Sequence, residues 1–407
     1  MPQLLGIRIE NYRSLADVTL GQIGFKQGVP LPALMCFIGP NGSGKSSLLD
    51  ALAFLADCLL EGVEDACDKP QRGGFSRLRT QGKKEPIRFS LYFRQHKNVS
   101  PITYTFEIGE RRGVPVVLSE RLLERRAGIN RGRASVFLEV QSGNCSVWSG
   151  ETVDGEESAQ RVEIKLSDVG RLAITTLGQL SEHPRIVALR QYIEGWYLSY
   201  FVPEAARQLP TAGAQKHLDR TGSNLGNVVQ YLQRSHPDRF KEILRRIQKR
   251  IPGIERIDCE RSTDGRLLLK FNERGYVDPF FQYSMSDGTL KMFAYMLLLE
   301  DPEPPAFIGI EEPENGLYHK LLEQLAREFK THSEDSKQRL QLLVTTHSPY
   351  FVDAMTPDQV WLLEKNEHGH TTATRTSDMP TISALQAEGI PLGSLWYSNH
   401  FDERWLK

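Results

Sequence analysis

The chain has 407 residues, of which 40% are hydrophobic and 25% are charged, an ordinary composition for a soluble globular protein of two or three domains. Its 50 basic and 51 acidic residues nearly cancel, which excludes a global attraction to nucleic acid or anionic lipid. The cysteines are scattered and form no CxxC pair, which predicts neither a disulfide framework nor a zinc site. The N-terminus is unlike a leader and no long apolar run occurs, which predicts a cytoplasmic protein without a membrane span.

The first sixty residues predict strands, a phosphate-binding loop and a helix. The sequence LMCFIGPNGSGKSS holds the full GxxxxGK[ST] pattern, directly after the apolar run Leu34–Ile38 and before a helical pattern. The glycines let backbone N–H groups face a phosphate, Lys45 reaches the β and γ phosphates, and the Ser46 hydroxyl can hold Mg²⁺. A chance glycine-rich turn is the alternative, which the flanking strand and helix disfavour. The predicted nucleotide-binding residues are Gly39, Asn41, Gly42, Ser43, Gly44, Lys45, Ser46 and Ser47.

The hydrophobic pattern of the middle of the chain changes twice, near residue 87 and near residue 168. Residues 63–86 are polar and rich in Gly and Pro, which predicts a loop, and residues 87–166 alternate as the antiparallel strands of a β-lobe do. From 168 to 250 the periodicity is helical, and one helix is predicted to bury Phe240, Ile243, Leu244, Ile247 and Ile251. The patterns predict four parts, namely 1–165 with the phosphate loop and β-lobe, a helical lid over 166–255, the remaining core over 256–365, and a small polar-aromatic tail over 366–407.

Two segments are locally basic. Seven arginines lie within 111–133, and the helix near 239–250 carries Arg239, Lys241, Arg245, Arg246, Lys249 and Arg250. Such patches can neutralise the phosphates of double-stranded DNA. The alternative is a solvated face, because the same segments contain the acids Glu110, Glu120, Glu124 and Glu242.

Three further motifs follow in the last third of the chain. Ser286, Asp287 and Gly288 open a predicted helix over Leu290–Glu300, which makes an anion site or an ordinary helix cap. An apolar strand over Ala306–Ile310 then ends in two carboxylates. Glu311 is suited to bind Mg²⁺ and Glu312 to act on an attacking water, unless both are exposed acids before a turn.

A second apolar strand, Leu340–Val344, leads to His347. A lone histidine is usually structural. Here it follows a buried strand one crossover after the paired acids, where a residue can sense a γ-phosphate.

In this order the pieces resemble the ABC-type ATPases of the SMC, RecF and OLD group, and within it the bacterial predicted ATPases of AAA-like, ABC class without a long coiled coil or a Toprim domain. The resemblance implies an α/β fold with an ABC-type P-loop NTPase core, a parallel sheet flanked by helices plus an antiparallel β-lobe, and an inserted helical lid. It assigns Walker A to 39–46, the signature to Ser286–Gly288, Walker B to 307–312, the D-loop to 314–317 and the switch to His347. It also places Arg13 and Ser14 near the adenine and ribose.

The resemblance implies a mechanism as well. Ser286 and Gly288 of one subunit complete the ATP site of the other, so that two ATP molecules are enclosed in a head-to-tail homodimer that hydrolysis opens. We expect an ATPase using ATP and Mg²⁺ that senses or acts on DNA in repair, mobile-element biology or phage defence, with a separately encoded nuclease or toxin as effector. The sequence departs from the usual motifs of this group in two places, the Ser-Asp-Gly signature and Glu311 where Asp is commoner. These departures leave a second function possible, a slow nucleotide-gated regulatory module that keeps such a partner inactive. A transporter subunit fits less well.

Overall fold

A computed structural model describes residues 2–24, 28–124, 134–150, 160–251, 253–335 and 340–401. The fold is mixed α/β and divides into two compact units. The first comprises Met1–Pro32, Ile38–Trp196 and Trp361–Arg375, and the second comprises Ala33–Phe37, Tyr197–Val360 and Thr376–Lys407. The predicted four-part division of the chain stays a prediction.

The strands of the described residues are, in chain order, β1 (Gln3–Tyr12), β2 (Leu15–Gly21), β3 (Leu34–Ile38), β4 (Ile87–Arg94), β5 (Ile102–Arg111), β6 (Val114–Glu124), β7 (Ser135–Gln141), β8 (Asn144–Ser149), β9 (Gln160–Lys165), β10 (Tyr197–Ser199), β11 (Ile254–Arg261), β12 (Leu267–Glu273), β13 (Phe280–Phe281), β14 (Phe307–Glu311), β15 (Gln341–Thr345), β16 (Val360–Lys365) and β17 (Thr371–Arg375).

The helices of the same residues are α1 (Lys45–Leu60), α2 (Val63–Asp68), α3 (Phe75–Leu78), α4 (Ala173–Leu177), α5 (Pro184–Glu194), α6 (Pro203–Ala206), α7 (Leu225–Ser235), α8 (Pro237–Arg250), α9 (Asp287–Leu299), α10 (His319–Glu334), α11 (Pro349–Val352), α12 (Pro380–Ala387) and α13 (Leu392–Tyr397). Short 3₁₀ turns occur at Gln282–Ser284, Pro357–Gln359 and Thr376–Asp378. None of the helices in the described ranges combines the length and apolarity needed to span a bilayer.

The first unit is built on an antiparallel sheet in the order β2-β1-β4-β5-β6-β7-β8-β9. The strands predicted between residues 87 and 166 are therefore confirmed. Aromatic side chains fill the face that packs on α1, where the rings of Phe89 and Phe106 stack with centroids 5.1 Å apart and Phe54 of α1 lies 6.1 Å from Phe89. β16 and β17 pair as an antiparallel hairpin.

The second unit holds a parallel sheet in the order β10-β14-β15-β3. All five residues of β3 and of β15 are buried, as are four of the five residues of β14. Strands buried on both faces are continuous apolar runs, which is why the sequence predicted them to within one residue. A small antiparallel sheet, β11-β12-β13, lies in the same unit.

Two segments are more ordered than their composition predicted. The expected loop over 63–86 contains α2 and α3, because Val63, Cys67, Phe75 and Leu78 are buried. The expected tail over 366–407 contains β17, α12 and α13, with buried Ile382, Leu392, Leu395 and Phe401. A few apolar side chains at helical spacing were enough to fold polar sequence. The apolar face of α8 is confirmed, with Phe240, Ile243 and Ile247 buried.

One buried carboxylate joins the antiparallel sheet to a helix. Glu120 of β6 is 1% exposed and accepts hydrogen bonds from the backbone N–H groups of Ala173 and Ile174, at the start of α4, and from the Tyr104 hydroxyl at 2.9 Å. Burial raises the pKa of Glu120 to about 7, although these three donors act in the opposite direction. The side chain therefore anchors α4 at a site where ionisation is costly.

We expect the substitution Glu120→Gln to lower the free energy of unfolding by about 1–3 kcal/mol, because the new amide would set an N–H₂ group against a backbone N–H. Urea unfolding should show this loss. Glu139→Gln on β7, at a partly exposed position, is the matched control and should change stability by less than about 0.5 kcal/mol.

The wild type and the Glu120→Gln variant also test the raised pKa of Glu120. A carboxyl whose pKa is raised on folding binds more protons in the folded state between pH 4.5 and 7, so stability falls as the pH rises through that range. The advantage of the wild type over Glu120→Gln should therefore shrink from pH 4.5 to 7 and stay level above it. An advantage that stays constant from pH 4.5 to 7 would show that the carboxyl is already ionised in the folded state.

Candidate nucleotide site

The phosphate loop connects β3 to α1 through glycines with positive φ angles. Gly39 has φ +148° and Gly44 has φ +111°, a conformation that side chains disfavour. A Cβ atom at Gly44 would also collide with the hydroxyl of Thr371, and one at Gly39 with the carbonyl of Leu363. Both glycines are therefore required by conformation and by space, which is more than the motif alone states.

The loop gathers hydrogen-bond donors at the start of α1. Lys45 is buried, and its ammonium donates to the carbonyls of Gly39 at 2.9 Å and Pro40 at 3.1 Å. The Ser43 hydroxyl is buried without a hydrogen-bond partner in the described part of the chain. Ser46 is exposed in the first turn of α1, and Gly44 provides that helix with no side-chain cap.

This donor set fits a polyphosphate. An uncapped helix N-terminus, an orphaned hydroxyl and an ammonium group all favour negative charge. Asn41 and Gly42 are exposed and Ser47 is partly exposed, so they border the same loop. The residues predicted from the GxxxxGK[ST] pattern thus lie on one connected surface, although their contacts with a nucleotide stay a prediction.

Thr371 of β17 braces the loop from behind. Its hydroxyl donates to the carbonyl of Ser43 at 2.8 Å and lies 2.9 Å from the hydroxyl of Ser14, whose carbonyl accepts the Thr371 N–H at 2.8 Å. Sequence reasoning missed Thr371, because it lies 357 residues after Ser14 in a segment that was predicted to be a tail. No local pattern could have found it.

A second brace involves Asp50 of α1. Its carboxylate accepts from the Tyr12 hydroxyl at 2.7 Å, pairs with Arg13 at 2.9 Å and pairs with Arg72 at 3.0 Å. Arg13 has φ +49° in the turn between β1 and β2. The turn that carries Arg13 and Ser14 is therefore held against the helix that follows the phosphate loop. An acid within an apolar helix was the signal for Asp50 in the sequence.

The predicted acidic residues lie at one edge of the parallel sheet. Glu311 is the last residue of β14 and is in register with Thr345, and Thr345 is in register with Phe37 of β3. The N–H of Glu312 donates to the Thr345 carbonyl at 2.9 Å. Glu312 has φ +41°, an unusual conformation for a residue with a side chain. Strain of this kind is typical of functional sites.

Glu312 and His347 are in direct contact. One carboxylate oxygen of Glu312 lies 3.2 Å from His347 Nε2, and the other accepts from the Asn315 side chain at 3.0 Å. The structure thus brings together the acid that was predicted to act on water and the residue that was predicted to sense a γ-phosphate. Their roles stay predictions.

Glu314 is the first residue of the segment 314–317 that the resemblance assigned to the D-loop. Its carboxylate accepts from the backbone N–H of His347, and its other oxygen is buried without a hydrogen-bond partner among the described residues. Burial raises the pKa of Glu314, and the neighbouring charge of Glu312 adds to the effect. The position of His347 therefore depends on a carboxylate that is itself poorly solvated.

The signature residues open α9 as predicted, although the helix starts three residues earlier than expected. Ser286 is the N-cap and accepts from the N–H of Thr289 at 3.2 Å. Arg207 pairs with the Asp287 carboxylate and donates to the carbonyl of Met285 at 2.9 Å. Arg207 therefore fixes the loop that precedes the helix.

The signature helix is also tied to the D-loop of the same chain. Lys291 of α9 is 5% exposed and donates to the carbonyl of Asn315 at 2.6 Å. Burial lowers the pKa of Lys291, while the charges of Glu314, Asp287 and Glu312 oppose that shift. Gly288 packs on the D-loop too, because a Cβ atom there would meet the carbonyl of Gly316. Lys291 of the signature helix therefore contacts Asn315, and Asn315 contacts Glu312.

The basic segments are partly neutralised in the described residues, where three of the six cations of α8 pair with carboxylates. On α8, Arg246 pairs with Glu300, Arg250 Nε donates to Glu328 at 2.9 Å and Arg239 donates to the carbonyl of Glu300 at 2.7 Å. Of the acids that could pair with the arginines of the other segment, Glu120 instead accepts hydrogen bonds from the start of α4, and Glu124 pairs with Arg185 at 3.2 Å. In the other segment, Arg125, Arg126, Arg131 and Arg133 lie outside the described residues.

A phosphate loop after one buried parallel strand, with paired acids at the end of another strand of the same sheet, defines a P-loop NTPase core of ABC type. Comparison with known families agrees. A family model described as "AAA domain, putative AbiEii toxin, Type IV TA system" matches residues 34–136 and 153–353. The chain belongs to this AAA-domain family, and the predicted class of ATPase is confirmed.

Solved structures of similar fold are SMC head domains. The chain is 14% identical to an SMC head bound to the C-winged helix domain of ScpA, over 91% of this chain and 97% of that one, with a TM-score of 0.55. It is 15% identical to an SMC head with an extended coiled coil bound to the C-terminal domain of ScpA, derived from Pyrococcus furiosus, over 95% and 100%, with a TM-score of 0.52. At such identities the likeness shows the fold alone. No curated protein matches the chain.

We expect Thr371→Val to weaken nucleotide binding about fivefold, because losing one buried hydrogen bond costs about 1 kcal/mol and frees the loop carbonyl of Ser43. Titration with a fluorescent ATP analogue measures this. The neighbouring exposed Thr372→Val is the matched control and should bind normally. If Thr371→Val loses stability in urea yet binds nucleotide as the wild type does, the hydroxyl packs the strand without shaping the loop.

Proposed function

We propose that the protein is an ATP-hydrolysing ATPase that forms a head-to-tail homodimer around two ATP molecules. Lys45 and the loop amides hold the phosphates, Ser46 and Glu311 hold Mg²⁺, and Glu312 orients and deprotonates the attacking water. His347 contacts the γ-phosphate. Ser286 and Gly288 complete the site of the partner subunit. Arg13 and Ser14 lie beside the nucleoside.

The observation that carries the proposal is the contact of Glu312 with His347 and Asn315 at the end of β14. A carboxylate that must accept a proton from water needs neighbours that set its direction, and here both oxygens have one. The Lys291 contact with Asn315 links the same carboxylate to the signature helix. Binding of the signature to a nucleotide can therefore alter the position of Glu312.

The residues proposed to hold Mg²⁺ and a triphosphate have the chemistry that both ligands require. Ser46 presents a hydroxyl at the helix start, and Glu311 ends the strand beside Thr345. Oxygen ligands of this kind suit Mg²⁺, which when bound neutralises charge on the β and γ phosphates. The chain itself supplies the ammonium of Lys45, the unpartnered hydroxyl of Ser43 and the amides of α1.

A homodimer follows from the count of motifs. The chain carries one phosphate loop and one signature, so a composite site formed from both requires two copies. Two identical half-sites arranged head to tail close into a symmetric dimer with two nucleotides. The nucleotide then acts as part of the interface, and hydrolysis removes it.

A slow regulatory module is the second candidate. Lys45 donates to its own loop at Gly39 and Pro40, and both oxygens of Glu312 are engaged by His347 and Asn315. Turnover requires these groups to change partners. If that change is rare, ATP serves as a stable switch that holds a partner protein inactive.

We further propose that the ATPase senses or acts on double-stranded DNA and works with a separate effector, a nuclease or a toxin. The family resemblance supports this, and the SMC heads of similar fold were solved bound to domains of ScpA. Three of the six cations of α8 pair with carboxylates, so α8 alone gives weak support for a DNA surface.

The substitution Glu312→Gln should slow hydrolysis roughly 100-fold or more while keeping ATP bound, because the amide cannot take the proton from water. The variant should then form a stable dimer in ATP and Mg²⁺, measured by light scattering. Lys45→Ala should stay monomeric under the same conditions. Glu323→Gln, an exposed carboxylate on α10, is the matched control for the lost charge. A Glu312→Gln protein that stays monomeric in saturating ATP contradicts the dimer.

The rate of ATP hydrolysis distinguishes the two candidates. We expect double-stranded DNA to raise the rate at low salt and to lose this effect as salt increases, because phosphate contacts release counterions. Phosphate release, measured with and without DNA at two salt concentrations, tests this. A feeble rate that DNA does not change would favour the regulatory module.

A further inference from the structure

A pocket of the second unit lies among residues that the proposed function does not use. It has a volume of about 440 Å³ and is framed by three segments, the loop over 212–216, the last part of α7 and the end of β11. Sites for small molecules commonly have volumes of about 300–1,000 Å³. The pocket is therefore large enough for a small organic ligand, and it shares no residue with the predicted nucleotide site.

Two buried asparagines at the start of α7 hold the loop that frames the pocket. Asn227, which is 1% exposed, donates to the carbonyls of Thr211 at 3.0 Å and Gly213 at 3.1 Å. Asn224 donates to the side-chain oxygen of Gln215 at 2.7 Å. Three of the four lining residues that the loop contributes are alanine or glycine, so the loop takes up little of the cavity. The shape of the pocket is thus fixed by the chain itself.

The lining carries three cations and no carboxylate. Lys216, Arg234 and Arg261 are exposed, and within the described ranges none of them has an ion pair. The three acids nearest to Arg261 along the chain are each paired with another cation, namely Asp258 with Arg256, Glu260 with Lys270 and Asp264 with Arg266. Three like charges around one small cavity repel each other, and a bound anion relieves that repulsion. The pocket therefore favours a ligand with more than one negative charge.

The same lining offers an aromatic ring and an amide. The Tyr231 hydroxyl lies 3.1 Å from His236 Nε2, and the two rings are arranged edge to face with centroids 5.4 Å apart. Because the hydroxyl is already engaged, the ring is the part of Tyr231 that is left to contact a ligand. Gln230 supplies an amide that can both donate and accept hydrogen bonds. Guanidinium groups suit phosphate oxygens, and an aromatic ring suits the face of a nucleobase.

We infer that this pocket binds a nucleoside phosphate as a further ligand of the chain. The three cations hold the phosphate groups, Tyr231 stacks on the base and Gln230 forms hydrogen bonds with the edge of the base. A bare polyphosphate would leave the ring and the amide unused, and an apolar ligand would leave the cations without a counter-charge. The inference goes beyond the proposed ATPase, because none of the lining residues belongs to its nucleotide site.

Equilibrium dialysis of the full chain against radiolabelled ADP, GDP, CDP or UDP tests the inference. Lys45→Ala removes the phosphate loop as a binding site, and we expect this variant still to bind one nucleotide per chain. Adding Lys216→Gln with Arg234→Gln should weaken that binding about tenfold, because each exposed cation that contacts a phosphate contributes a factor of about three to five.

The matched control adds Arg245→Gln with Lys249→Gln to Lys45→Ala. These two residues of α8 are also exposed and without an ion pair in the described part of the chain, and they are of the same types. This control should bind nucleotide as Lys45→Ala does. Urea midpoints close to that of Lys45→Ala verify that all variants fold.

Tyr231 distinguishes a nucleotide from a bare anion. In the Lys45→Ala chain, Tyr231→Leu should weaken nucleotide binding about fivefold and leave the binding of inorganic pyrophosphate unchanged, because only a base contacts the ring. Tyr231→Phe keeps the ring and should bind nucleotide as Lys45→Ala does.

Each of the following results overturns the inference. Equal losses in the two sets of cation variants mean that net charge alone attracts the nucleotide. Pyrophosphate that binds as tightly as the best nucleotide makes the pocket a site for a bare anion. Displacement of the nucleotide by double-stranded DNA assigns the surface to nucleic acid. If Lys45→Ala binds none of the four nucleotides while the wild type binds one ADP, the further site fails and the ATPase proposal stands.

Discussion

Parallel pairing of three buried strands determines where the paired acids Glu311 and Glu312 can lie. The register aligns Phe37 with Thr345 and Thr345 with Glu311, so β3, β15 and β14 end at one edge of the sheet. A shift of one residue would draw a carboxylate into the apolar layer, where an unpaired charge is very costly. Polar residues can collect only where these strands end. The phosphate loop begins two residues after Phe37, so its starting point is set by the same pairing.

Two carboxylates of low exposure, Asp50 and Glu120, fix segments that lie outside these strands. Asp50 holds the β1–β2 turn and the loop of Arg72, and Glu120 holds the start of α4. The Arg72 side chain is fully buried and also pairs with Asp57 at 2.8 Å. Removing one partner of such a pair costs about 3–5 kcal/mol, because the remaining charge stays buried. These contacts explain why glycine-rich, polar sequence between 63 and 86 is ordered around the phosphate-loop helix.

The features that could be predicted from the sequence are those whose interacting residues lie close together along the chain. The phosphate loop, the apolar strands and the cap at Ser286 depend on neighbouring residues, and the sequence predicted all three. The brace at Thr371 and the contact of Lys291 with Asn315 depend on segments that are far apart, and a threonine or a lysine carries no local mark of such a role. The amount of ordered structure in the tail over 366–407 was underestimated for the same reason. Its buried residues are few, and their partners lie elsewhere in the chain.

The contacts of Glu312 give a physical reason why a lone chain should be a poor catalyst under the proposed function. Its carboxylate is held by His347 and Asn315 within one chain, and Asn315 is held by Lys291 of the signature helix. To act on water, the carboxylate must give up at least one of these contacts, each worth about 1 kcal/mol or more. A nucleotide that draws Ser286 of α9 towards the partner subunit moves the same helix that carries Lys291. Dimerisation can thus release Glu312 and assemble the site in one step, which ties hydrolysis to association. The low exposure of Lys291 matters here, because a buried ammonium cannot exchange the Asn315 carbonyl for water.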